Sequence, residues 1–152
     1  MRRALALVTA AVLIGGAQPA LAVSTPTINA VTSGIELCPQ TVCGAAIFAG
    51  VLKGQVGSNL NALGLFAVAV THEPLPDPFQ SAAITGGVFQ FQVGLRQIKG
   101  VVLGGTLFNN GDNTFTVRAV LGITSGGSGQ VIYTGLLNHN VFPPTVIGTL
   151  TQ

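Results

Sequence analysis

Two histidines, four side-chain carboxylates and two cysteines are the groups of this 152-residue chain best suited to acid–base or metal chemistry. Five of these groups fall in polar stretches rich in Pro and Asn. His72, Glu73 and Asp77 lie in THEPLPDPFQS, residues 71–81. Asp112 lies in NNGDN, residues 109–113, and His139 in NHNVFPP, residues 138–144. Two imidazoles and a carboxylate are ligand types that hold a transition metal, and Glu73 with Asp77 are types that share a proton as acid and base. The plainer reading is that links between elements are polar because water solvates them. No serine sits in G-x-S-x-G and no Walker loop is present. GITSGG and ITGGVF are glycine-rich but are not followed by a helical pattern, so they do not cradle phosphate. The sequence therefore assigns no catalytic residue, no metal and no cofactor. It leaves His72, Glu73, Asp77, Asp112 and His139 as candidate ligand-binding residues.

The cysteines, Cys38 and Cys43 in ELCPQTVC, depend on the compartment. The chain opens with Arg2-Arg3, an uncharged run over 4–16, and Ala20-Leu21-Ala22. That is the layout of a secretory signal peptide over 1–22, and its apolar run is short for a membrane span. In an oxidising compartment two nearby cysteines pair. Zinc would need two more ligands at sensible spacing, and a redox centre commonly has two intervening residues rather than four. A disulfide Cys38–Cys43 is the expectation; a reactive or metal-bound pair is the alternative. Export to the periplasm or beyond the cell is expected, from a bacterial source judged by the shape of the signal.

Removing the signal also changes the charge. The formal net charge of +2 comes from Arg2 and Arg3. The remainder sets Lys53, Arg96, Lys99 and Arg118 against Glu36, Glu73, Asp77 and Asp112, which cancel. No basic surface remains to follow a nucleic-acid backbone or anionic lipid.

The elements that must position these residues are strands. From residue 45 onward Val, Ile, Thr and Phe dominate, broken by Gly-rich turns, and no stretch keeps a capped helical period. Strands are predicted over 45–56, 60–71, 84–93, 98–108, 114–124, 130–137 and 145–151. The lead-in over 23–34 is an extended segment and a possible eighth strand. The segment 60–71, LNALGLFAVAVT, is apolar on both faces at its centre, which predicts cover on both. Phe89, Phe91 and Val93 share one face, with Gln90 and Gln92 on the other. Phe115, Val117, Ala119, Leu121 and Ile123 share a face opposite Arg118. Short links imply antiparallel neighbours, and interior glycines permit the bends of a closed sheet. The fold class is all-β: a single small antiparallel up-and-down β-barrel of seven to eight strands over 35–152, with a β-sandwich as the alternative. An outer-membrane barrel would carry aromatic girdles. This chain has no Trp and one Tyr.

The stretch ITSGGSGQVIYTG, residues 123–135, resembles a hairpin of dirigent proteins, allene oxide cyclases and related bacterial exported, calycin-like barrels, which carry a pattern like I-x-G-G-T-G-x-F-x-x-A-x-G. Gly126-Gly127-Ser128-Gly129 matches its turn. Gly135 falls one position early and Val131 replaces the aromatic. The resemblance covers one hairpin. It implies a barrel and carries over no catalytic residue.

In an up-and-down barrel alternate links share one end, so the three polar stretches meet at one mouth. Composition then suggests three roles. A neutral, charge-poor chain with no catalytic set reads as an exported, non-enzymatic barrel with a structural or interaction role, as a homo-oligomer or with an envelope partner. The alternatives are a barrel that holds a small apolar ligand, lined by Phe89, Phe91 and Phe115, or an enzyme of the dirigent or cyclase kind.

Overall fold

The computed structural model describes residues 27–152. The expected signal peptide over 1–22 lies outside the described residues. Eight strands follow in order: β1 (Ile28–Cys38), β2 (Ala46–Val56), β3 (Asn59–His72), β4 (Ser81–Val93), β5 (Arg96–Asn109), β6 (Thr114–Ser125), β7 (Gln130–Asn138) and β8 (Thr145–Thr151). Each pairs antiparallel with its neighbours in sequence, and β1 also pairs with β8, from Asn29 opposite Thr151 to Ile35 opposite Thr145. The result is a closed antiparallel barrel. The boundary expected between lead-in and barrel, at 34/35, falls inside β1, and the lead-in supplies the strand that closes the ring. Closure removes both sheet edges, which would otherwise present unpaired backbone groups.

Inward positions follow a period of two, as pleating requires. The alternation shifts once in β4 and once in β5. In β4, Ala82 and Ile84 face inward before the shift, Phe89 and Phe91 after it. Ladder pairs run from Ile84–Gly105 to Gly87–Val102, so the irregularity sits at one level in both strands. Gly87 has φ +149°, and a Cβ there would lie 2.9 Å from Val70 Cα. Only glycine fits so close a backbone, and the irregularity bends the sheet where the barrel must curve.

The interior is sealed at one end. Ile28, Leu52, Ile98, Val131 and Leu150 are the most deeply buried large side chains, and all lie in the halves of their strands away from the wider links. Phe89 and Phe91 pack with ring centroids 4.8 Å apart beside them. Glycines facing the interior make notches for rings. A Cβ on Gly34 or Gly50 would come within 2.8 or 2.9 Å of Phe66.

The outer face corrects one expectation. Leu63 and Leu65 of β3 point outward and are 68% and 60% exposed. The predicted cover on both faces of 60–71 exists only on the inside, because a closed barrel leaves its outer surface nothing of its own chain to pack on. Arg118 is exposed on the outer face. Among the described residues no helix is long and apolar enough to cross a membrane.

Candidate functional site

The period of two in β1 places Ile28, Ala30, Thr32, Gly34 and Glu36 on the inner wall, with Glu36 at the open end. In β7 it does the same for Val131, Tyr133 and Leu137. Above the sealed end these walls enclose a cavity of about 820 Å³ that opens at the mouth. Its size falls in the range of small-molecule sites. Phe48, Phe66, Val68, Phe91, Val117 and Leu121 are among the residues of its apolar wall, and among the described residues neither Lys nor Arg lines it.

Two polar stations interrupt that wall. At the mouth, the Glu36 carboxylate is buried (5% exposed), and its Oε2 lies 3.1 Å from His139 Nε2. The imidazole rests on Phe115, centroids 5.2 Å apart. Deeper, Thr32 (3% exposed) faces the Tyr133 phenol. Gly148 leaves room for the phenol, since a Cβ there would lie 2.5 Å from Tyr133 Cζ. Glu36 Oε2, His139 Nε2, Thr32 Oγ1 and Tyr133 OH all lack a partner in hydrogen-bond geometry among the described residues. The Glu36–His139 contact has the separation of an ion pair without hydrogen-bond alignment. Buried polar atoms are ordinarily satisfied; these four instead face one another in two pairs, Glu36 with His139 and Thr32 with Tyr133, which form the polar stations of an otherwise apolar cavity.

The mouth is held open by a ring of hydrogen bonds. Cys38 and Cys43 form a disulfide, Cα atoms 6.0 Å apart. It closes a loop around the short helix α1 (Gln40–Cys43), whose Gln40 Nε2 donates to the His72 carbonyl at 2.7 Å. Asn109 Nδ2 donates to Pro76 O (2.8 Å), and Asn140 Nδ2 to Asp112 O (2.9 Å). The His139 amide donates to Asn113 O (3.1 Å), and the Glu36 amide to Pro144 O (2.8 Å). Each link around the rim is tied to the next, so the opening is preformed.

The five mouth candidates divide. His72 and His139 line the cavity. Glu73 is exposed and accepts from the Ala83 amide at 2.9 Å, stapling the β3–β4 link. Asp77 is exposed in that same link, where its carbonyl accepts from the Gln80 amide. Asp112 is exposed and accepts from the Thr114 hydroxyl (2.6 Å) and amide (3.1 Å). The Thr114 hydroxyl holds its carboxyl below the usual carboxylate value. Phe89, Phe91 and Phe115 all face inward. Phe91 lines the cavity, while Phe89 and Phe115 belong to the packed core around it. Among the described residues no group of three or more His, Cys, Asp or Glu side chains could hold a metal. Glu36, Thr32 and Tyr133 were not among the expected site residues. Their signal was the alternation of β1 and β7, which puts all three on the inner wall.

Burial raises the Tyr133 phenol above its ordinary pKa of 10.0, and the Thr32 hydroxyl partly offsets this. Tyr133 is the one tyrosine of the chain, which has no tryptophan, so the absorbance of the tyrosinate band reports on it alone. An alkaline titration is expected to give a midpoint above pH 10.0. The unfolded chain ionises first, so stability conferred by the buried phenol is intact below the ordinary value and falls as pH climbs through the raised one. A midpoint at the ordinary value would place the phenol in open water.

Comparison with family models, with curated proteins and with solved structures finds no match to this chain.

Proposed function

We propose that the protein is an exported binding module that holds one small, mostly apolar molecule inside its barrel. The observation that carries this reading is the apolar cavity of about 820 Å³, with two polar pairs, Glu36–His139 and Thr32–Tyr133, among its lining residues. A structural or interaction role was the first expectation from composition. It rested on sparse charge and the lack of a catalytic set, and both features suit a binding module equally well. The open interior is what a binding module requires and a purely structural barrel does not. The rim of hydrogen bonds supports it further, because a preformed opening spares a guest the cost of ordering the site.

Nile red, an uncharged apolar dye, tests the reading. It is expected to bind saturably, one per barrel, with a change in Tyr133 fluorescence. Val68→Trp fills the lumen from β3 and is expected to weaken binding by at least about tenfold, equivalent to about 1.4 kcal/mol. Equal dye affinity in wild type and Val68→Trp would put the dye on the outer surface and end the proposal.

A further inference from the structure

Given that binding reading, on which this inference rests, we infer that the natural guest is a cationic amphiphile: an apolar body whose amine docks on Glu36. Three observations converge. The first is Glu36 itself. Its carboxylate is almost wholly buried at the inner edge of the mouth, with Oε2 unpartnered in hydrogen-bond geometry and only the His139 imidazole at ion-pair distance. A buried carboxylate strongly favours a positively charged partner.

The second is the distribution of charge. Glu36 ends β1 at the mouth, and Glu73, Asp77 and Asp112 lie in links on the same rim. Arg96 and Lys99 lie at the sealed end, Lys53 in the sealed half of β2, and Arg118 outward at mid-strand. The formal charges of residues 27–152 cancel, yet they are polar along the barrel axis, with the negative end around the opening. Such a field draws cations to the mouth and turns anions away.

The third is the wall. No Lys or Arg lines the cavity among the described residues, so a carboxylate guest would find only the imidazoles of His72 and His139 to pair with, the latter already beside Glu36. Phe48, Phe66, Phe91 and the Tyr133 ring instead offer aromatic faces, which attract ammonium groups. Thr32 and Glu36 are four residues apart on one strand, which sets the deep and outer polar stations about 13 Å apart at the usual rise per residue. The guest suited to both is an amine at the mouth with a hydroxyl or carbonyl at its far end.

The experiment compares decylamine, decanol and decanoate as competitors of Nile red on the oxidised protein, in wild type and in Glu36→Gln. The amine is expected to compete at least about tenfold better than the alcohol, the order of one charge-assisted hydrogen bond, with the acid weakest. Glu36→Gln is expected to bring amine and alcohol together. Where Glu36→Gln does not fold, the order amine, alcohol, acid in wild type decides the matter; added salt separates the share of the exposed rim carboxylates, which it screens, from that of the buried Glu36, which it screens little. Equal competition by amine and alcohol in wild type, or an acid that binds best, overturns the cationic preference while dye binding leaves the module intact. Failure of the dye and all three competitors to bind overturns both readings.

Discussion

Leu52→Ala is expected to lower unfolding stability by about 2–5 kcal/mol, the range for truncating a buried leucine, whereas Val68→Ala is expected to cost well under that. Both residues face the interior of adjacent strands. Leu52 is 1% exposed and packed in the sealed half of the barrel, so its truncation opens a void where neighbours were in contact. Val68 already borders the cavity. Removing its methyls enlarges a space that exists and strands fewer contacts, and the penalty depends on how much new void is made. Urea unfolding decides the comparison: the Leu52→Ala midpoint should fall with little change in slope. Equal losses in the two variants would mean that the interior is packed throughout in solution, and the proposed binding role would go with it.

That contrast bears on what a sequence can reveal. The alternation in Phe89–Val93 and in Phe115–Ile123 was enough to set their inward faces, because large apolar side chains at every second position admit one burial. The lead-in was harder. Its inner residues Ile28, Ala30, Thr32 and Gly34 are mostly small or polar, so their alternation is faint, and Glu36 sits beside Cys38 where the disulfide turn draws attention. The order of links fixed which residues gather at the mouth, but not which way they point. Asp112 turns to the Thr114 amide two residues on, as short acidic side chains near turns commonly do, and Glu73 to the Ala83 amide at the start of β4. Whether the barrel is hollow was beyond reach. It depends on how rings such as Phe66 and Tyr133 settle over glycines of neighbouring strands, and that registry is not visible along one strand.

His139→Ala carries the second large effect and tests the polar station at the mouth. Removing the imidazole leaves the Glu36 carboxylate buried without its nearest polar neighbour, and stranding such a group costs about 1–3 kcal/mol. The same substitution also strips a ring from Phe115, so His139→Phe serves as the control: it keeps an aromatic ring there and removes the polar nitrogens of the imidazole. The polar share of the loss is expected to persist in His139→Phe and to be relieved when Glu36→Gln is added, since the neutral amide no longer demands a charged neighbour. In a double-mutant cycle the paired substitutions should cost less than the sum of the single ones by at least about 0.5 kcal/mol, the lower end of coupling between residues in contact. Strict additivity would mean that the 3.1 Å approach is not an energetic interaction.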